Sequence, residues 1–140
     1  MKNFFLFLFA LIPFTMSAQD SWKVQLNDKV VLKTSEENSE KNVIKISASS
    51  LQKKKDFIIS YSEGEKKKGW QRFITIYNDQ DGELYKQTGN KIKMKNSVLS
   101  SLFEKSKTLK VYTWSLPTDP KLKQTVRVRR VHLCTLVNSQ

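Results

Sequence analysis

The chain has 140 residues with a formal net charge of +12, and hydrophobic residues make up 39% of it. This length allows one domain, and the hydrophobic fraction is enough to bury a core, so a globally disordered chain is excluded. The single Cys and the single His exclude a disulfide scaffold within one chain and a Cys/His zinc site.

Residues 1–18 have the pattern of a signal peptide. A short basic start, Met1–Asn3, precedes an apolar run, Phe4–Phe14, and two small residues follow, ending at Ala18. The run is about eleven residues long, whereas a helix that spans a bilayer needs roughly twenty. We therefore predict cleavage after Ala18, which leaves a single domain, 19–140, with a net charge of +11, secreted or periplasmic and without a membrane anchor.

The segments after Ala18 have the pattern of short strands separated by polar turns. Trp22–Leu26 alternates apolar and polar residues with a period of two, as a half-buried strand does. Asn27-Asp28 is a turn pair and Lys29–Lys33 resumes the strand character, which predicts a hairpin. Further strands, rich in β-branched or aromatic residues, are predicted at Val43–Ile46, Phe57–Tyr61 and Arg72–Tyr77.

Two local signals organise the second half of the chain. Asp81-Gly82, followed by Glu83–Tyr85, predicts a second hairpin. Asn96 precedes an apolar stripe with helical spacing, which predicts a short helix with Asn96 as its N-cap. A last pair of strands is predicted at Leu109–Leu116 and Thr125–Val137. These elements predict an all-β fold, an antiparallel β-sandwich of seven to nine short strands with one short helix before the last two strands. A small β-barrel is the alternative.

The basic residues suggest an anionic partner. Lys53–Lys55 and the run Lys66, Lys67 and Lys68 are predicted to lie in turns, where they either attract an anion or keep the surface soluble. Three candidate binding residues, Arg127, Arg129 and Arg130, are predicted on the last strand. Guanidinium groups bind carboxylate or phosphate bidentately, so the arginines either bind an external anion or pair with the acidic loops of the same chain.

The predicted last strand contains a change of parity. Val126 and Val128 place the apolar face on even numbers, whereas Val131 and Leu133 place it on odd numbers. This change predicts either a β-bulge at Arg129-Arg130 or a strand that passes from one sheet environment to another.

Aromatic residues offer a second kind of site, in which exposed rings stack on sugars. The candidates are Trp70, Trp114, Tyr77, Tyr85 and Tyr112. Buried aromatics are the commoner outcome in a domain of this size. Trp70 is expected to be the exposed one, because it follows Gly69 and a lysine run.

His132 and Cys134 have the same parity and are predicted to point to one face of the last strand. A nucleophilic Cys needs a base and a third group that orients the base, and no such group accompanies the pair in sequence. We predict that neither residue does chemistry. No catalytic, metal-binding or cofactor-binding motif occurs in the chain, so a non-enzymatic protein without cofactor is predicted.

The mature sequence resembles small secreted proteins of Gram-negative bacteria that carry a signal peptide and have no assigned activity. The resemblance is carried by Val111–Pro120, Val126–Cys134, Ser21–Val24 and Lys29–Lys33. The likeness extends over nearly the whole mature chain. It implies a single β domain exported to the envelope, and it carries no catalytic residue and no ligand.

These observations favour a binding or accessory module of the bacterial envelope that acts on an anionic polymer or a partner protein through a basic surface. Export argues against a nucleic acid as the partner. One alternative is a carbohydrate-binding sandwich that uses aromatic stacking, and another is a small hydrolase or inhibitor.

Overall fold

The computed structural model describes residues 18–139, so the predicted signal peptide lies outside the described residues except for Ala18. In chain order the elements are β1 (Ser21–Leu26), β2 (Lys29–Thr34), β3 (Val43–Ser47), α1 (Ala48–Leu51), β4 (Asp56–Ser62), β5 (Trp70–Tyr77), β6 (Glu83–Thr88), β7 (Lys91–Lys95), α2 (Asn96–Lys105), β8 (Thr108–Pro117), α3 (Pro120–Lys123) and β9 (Val131–Ser139). None of these helices is long and apolar enough to cross a membrane.

The nine strands form two sheets, which confirms the predicted sandwich. One sheet has four strands in the order β2-β1-β4-β7, and the other has five in the order β3-β9-β8-β5-β6. All neighbouring pairs are antiparallel except β3 and β9, which are parallel. Of the three helices, the sequence predicts only α2, and it does not predict the strand β7.

The core lies between the two sheets and contains the inward-facing residues of their strands. Burial alternates strictly along β1, β4 and β7, as expected for strands with one face on the core and one on solvent. The helix α2 adds three apolar residues to the same core. The fully buried side chains include Val24, Phe57, Ile59 and Ile92 from the smaller sheet, Ile74, Ile76, Leu109, Val111 and Leu136 from the larger sheet, and Leu99 from α2.

Both predicted hairpins are present. The turn between β1 and β2 places Asn27 and Asp28 at positive φ angles of 53° and 65°, the backbone of a tight turn that matches the twist of the strands. In the turn between β5 and β6, Asp81 has a φ of 64°. There Asn78 Oδ1 accepts hydrogen bonds from the backbone N–H of Gln80 and Gly82 at 3.0 and 2.7 Å.

The predicted role of Asn96 as an N-cap is wrong. Asn96 is the first residue of α2 and is almost completely buried. Its Nδ2 donates hydrogen bonds to Asn27 Oδ1 at 2.6 Å, to Ser50 O at 3.2 Å and to Lys53 O at 3.0 Å. The side chain therefore connects the α1 segment and the first hairpin to α2. Its amide donates to buried oxygen atoms, which require hydrogen-bond partners, and it does not cap the helix.

The predicted course of the last strand is also corrected. Residues 126–130 form no strand, and β9 begins at Val131. The bulge lies at Leu133 and not at Arg129-Arg130, because His132 pairs with Tyr112 whereas Cys134 pairs with Val111. The extra residue turns His132 and Cys134 to opposite faces of the sheet. His132 contacts the ring of Tyr112, and Cys134 lies in the core.

The donor role of Asn96 leads to a prediction that separates it from a cap. Asp and Asn are equivalent N-caps, but Asn96→Asp would place a carboxylate against three oxygen acceptors. We expect this substitution to lower the free energy of unfolding by at least about 2 kcal/mol, measured by urea denaturation.

The matched control is Asn38→Asp. Asn38 Oδ1 accepts hydrogen bonds from the N–H groups of Glu40 and Lys41, and a carboxylate keeps that role. Equal stability of the Asn96 variant and the wild type would show that Asn96 does not act as a donor.

Candidate anion-binding surface

The structure separates the predicted binding residues into two groups. Arg129 pairs with Glu37 (Nη2 to Oε2, 2.6 Å), and Arg130 pairs with both carboxylate oxygens of Asp81 at 2.9 and 3.3 Å. Arg127 is exposed. Of the two expected outcomes, the structure shows pairing with the acidic loops of the same chain for Arg129 and Arg130.

The lysine run and Trp70 lie together, beside an open cleft of about 470 Å³. Lys67 Nζ lies 5.2 Å from the centroid of the Trp70 ring, and Lys66 lines the same cleft. Lys68 is exposed in the same loop but does not line the cleft. We call this space the Trp70 cleft; its lining residues are Glu63, Lys66, Lys67, Trp70, Gln71, Arg72, Thr88, Gly89 and Asn90.

A fixed polar network forms the floor of the Trp70 cleft. Arg72 Nε donates to Glu63 Oε1 at 2.6 Å, and Arg72 Nη1 donates to Thr113 Oγ1 at 3.1 Å. The side chains of Arg72 and Glu63 are only 13% and 18% exposed. The guanidinium group lies 4.2 Å from the centroid of the Tyr61 ring. Arg72 therefore joins the two sheets at this end of the sandwich and holds Glu63 in place.

Asp20 and Tyr61 extend this network to the start of the domain. Burial opposes ionisation of Asp20, but hydrogen bonds from the Tyr61 hydroxyl (2.6 Å) and the Gly64 N–H (2.8 Å) outweigh it, and the pKa of Asp20 is lowered. Burial and the hydrogen bond to Asp20 raise the pKa of Tyr61. Both shifts keep Asp20 charged and Tyr61 protonated at neutral pH, so the hydrogen bond between them is maintained.

The outward face of the β2-β1-β4-β7 sheet carries a concentration of positive charge. Five lysines project from it, and the only acidic side chain among them in the described chain is Asp56, which lies 3.8 Å from Lys93 Nζ. We call this surface the lysine face; its lysines are Lys23, Lys33, Lys91, Lys93 and Lys95.

The strand register places three of these lysines in one row across the sheet. Lys33 is directly opposite Lys23, Lys23 is opposite Ser60, and Ser60 is opposite Lys91. No carboxylate of residues 18–139 lies within 4 Å of the ammonium groups of these three lysines. Like charges directly opposite one another destabilise a sheet, so the Lys23–Lys33 pair costs stability.

A shallow groove of about 230 Å³ runs beside this row. Two lysines and three serine hydroxyls line it above the buried rings of Trp22 and Tyr61, the serines being Ser21, Ser60 and Ser62. Ammonium groups and hydroxyls are both donors to oxyanions, so the groove has the chemistry of a site for phosphate, sulfate or carboxylate oxygens.

The lysine face and the Trp70 cleft are adjacent. Asn90 lines the cleft, and the next residue, Lys91, belongs to the lysine row. The carbonyl of Asn90 accepts a hydrogen bond of 2.7 Å from the N–H of Tyr61, a residue that lines the groove. One extended ligand is therefore able to contact both regions.

Three of the other aromatic candidates share the outward face of the larger sheet, and cations of the chain lie over their rings, as Lys67 lies over Trp70. Tyr77, Tyr112 and Trp114 lie there with Phe73, at centroid distances of 5.6 to 6.5 Å. Arg130 lies over Tyr77 and Tyr112, and Lys86 lies over Phe73 and Trp114. Tyr85 packs against the core instead. Trp70 is exposed as expected, with 36% of its surface accessible.

His132 and Cys134 do not form a pair, since they lie on opposite faces. His132 Nε2 is 2.8 Å from Thr135 Oγ1, and Cys134 is completely buried. Within residues 18–139, no three side chains of His, Cys, Asp or Glu cluster where they would hold a metal ion.

The sequence matches no protein-family model and no curated protein. The functional assignment therefore depends on the residues described above.

Sequence reasoning did not identify the lysine face, although a signal for it was present. Lys91–Lys95 alternates lysine with an apolar residue, which is the pattern of a half-buried strand with a basic outward face. Its position beside β4, and the position of Lys33 beside Lys23, are properties of the strand pairing.

The burial of Cys134 leads to a prediction about its reactivity. Burial raises the pKa of the thiol to about 12, and the thiolate is the reactive form. We expect no labelling of the folded protein by a bulky disulfide reagent at pH 8 and complete labelling in 6 M guanidinium chloride. Rapid labelling without denaturant would show that Cys134 is accessible.

Proposed function

We propose that the protein is an exported, non-enzymatic binding module of the bacterial envelope that holds an anionic polymer on its lysine face. The observation that supports this most is the presence of five lysines and one carboxylate on the outward face of a single four-stranded sheet. The signal-peptide pattern of residues 1–18 supports export.

The lysines are spread over the face and do not converge on one point. Neighbouring strands are about 4.8 Å apart, so the row from Lys33 to Lys91 extends about 14 Å across three strand intervals. Along β7, the lysines at alternate positions are about 7 Å apart. Lysine ammonium groups are point charges on flexible stems and do not require a planar partner. The face therefore favours charge density along a polymer over one particular anionic group.

The stability cost of the Lys23–Lys33 pair supports binding over solubility as the role of this face. Solubility is served by lysines at any exposed position, and the loops already provide them at Lys53–Lys55 and Lys66–Lys68. Lysines opposed across a strand pair repel one another, and an anion placed between them would remove that repulsion. The loop lysines add a long-range field that would steer the same polymer towards the surface.

A matched pair of triple variants tests the proposal. Lys23→Gln, Lys33→Gln and Lys91→Gln together remove the lysine row; the control carries Lys41→Gln, Lys107→Gln and Lys121→Gln, which are exposed positions outside it. We expect the row variant to bind long-chain polyphosphate at least tenfold more weakly than the control at low salt. Its slope of log Kd against log salt should fall by about two to three, since each contacted charge contributes nearly one.

Binding is measured by fluorescence anisotropy of labelled polyphosphate over a salt series, and thermal unfolding confirms that both variants fold. Equal losses in the two triple variants would mean that only net charge attracts the polymer, and the lysine face would then not be the site.

A further inference from the structure

We infer that the Trp70 cleft binds a sugar ring, so that the polymer held by the protein is an acidic polysaccharide of the uronic acid type. This inference rests on the proposed function, because the cleft would bind one residue of the chain whose charges lie on the lysine face.

The backbone presents Trp70 to solvent. Gly69 adopts a φ of +76°, and the main-chain N–H and the hydroxyl of Thr118 donate to its carbonyl at 2.7 and 3.1 Å. Trp70 itself pairs with Pro117 at the end of β8. Trp22, by contrast, is 3% exposed and belongs to the core. An indole held at the rim of a cleft provides a large, rigid apolar surface with little loss of side-chain entropy.

The other side chains of the cleft suit a ligand rich in hydroxyl groups. Asn90 offers an amide donor and acceptor. Gln71 and Thr88 also border the cleft, but strand alternation places their side chains on the outward face with Phe73. Arg72 engages Glu63 Oε1, which leaves Oε2 as an acceptor held in a fixed position. Asn90 and Glu63 line the same cleft as the indole, and an apolar surface beside a few polar groups is the combination that binds a ring with one apolar face and a polar edge.

Lys66 and Lys67 add the charge preference. Both line the cleft, and the Lys67 ammonium lies over the indole, 5.2 Å from the ring centroid, on a flexible four-carbon stem. A ring stacked on Trp70 would place its substituents near these two cations, so a carboxylate on the sugar is favoured over a neutral ring. The cleft volume of about 470 Å³ lies within the usual range for small-ligand sites.

A nucleic acid fits the observations less well. Proteins that bind single strands stack successive bases on several aromatic side chains, but Trp70 is the one aromatic side chain that lines this cleft. One ring-binding position followed by a row of lysines matches a polysaccharide better than a run of bases.

The experiment compares three polymers of similar length: polygalacturonate, polyphosphate and single-stranded oligothymidylate. The variant Trp70→Ala removes the stacking surface, and Trp114→Ala is the control at another partly exposed tryptophan. We expect Trp70→Ala to weaken binding of polygalacturonate roughly tenfold and to change binding of polyphosphate by less than twofold. Trp70→Phe should restore part of the loss, because a smaller ring remains. Isothermal titration calorimetry gives the affinities, and circular dichroism confirms that the variants fold.

Each other outcome overturns the inference in a distinguishable way. If Trp70→Ala weakened the binding of polygalacturonate and polyphosphate equally, Trp70 would not bind a sugar ring selectively. A greater loss for oligothymidylate than for polygalacturonate would identify a nucleic acid as the occupant. Wild-type protein that binds polyphosphate but not polygalacturonate would leave the lysine face as a site and exclude the sugar-ring site. Wild-type protein that binds none of the three would contradict the proposed function itself.

Discussion

A buried hydrogen bond between the two sheets, from Trp22 Nε1 to the carbonyl of Leu133 at 2.9 Å, is the contact on which this end of the molecule depends. Leu133 is the bulged residue of β9, and the bond gives its carbonyl a donor inside the core. The indole of Trp22 stacks on Tyr61 at a centroid distance of 6.0 Å. Tyr61 in turn holds Asp20 and carries Arg72 over its ring. Trp22 and Tyr61 line the groove of the lysine face and Arg72 lines the Trp70 cleft, so the same buried contacts support both.

The charges of the protein are used in two different ways. Two arginines form ion pairs with carboxylates in acidic loops of the same chain: Arg129 with Glu37 and Arg130 with Asp81. The row lysines Lys23, Lys33 and Lys91 have no such partners among residues 18–139, and two of them face one another directly. An arrangement that lowers stability persists most readily where it serves a ligand, since selection tolerates stability losses that support function. The contrast between neutralised arginines and unneutralised lysines is the physical basis of the proposed function.

Short-range sequence signals predicted the features that depend only on neighbouring residues, such as turns. The turn pairs Asn27-Asp28 and Asp81-Gly82 predicted both hairpins, and the glycine before Trp70 predicted an exposed ring. Features that depend on distant partners were not predictable. The arginines were predicted on a strand but lie in an irregular segment. The carboxylates that pair with Arg129 and Arg130 are 92 and 49 residues away in sequence. The lysine row exists only through the pairing of four strands, and the donor role of Asn96 depends on carbonyls from α1 and the following turn.

The opposed pair Lys23 and Lys33 is expected to lower the free energy of unfolding and to strengthen the binding of an anionic polymer. One set of unfolding curves tests both effects directly. The free energy of unfolding is measured for the wild type and for Lys33→Gln, with and without saturating polyphosphate. Without ligand, we expect the variant to be more stable than the wild type by about 0.2–1 kcal/mol, because the repulsion with Lys23 is removed. With polyphosphate, the wild type should gain more stability than the variant, since a ligand stabilises the state that binds it more tightly. A variant that is less stable than the wild type without ligand, or that gains as much from polyphosphate, would contradict the account.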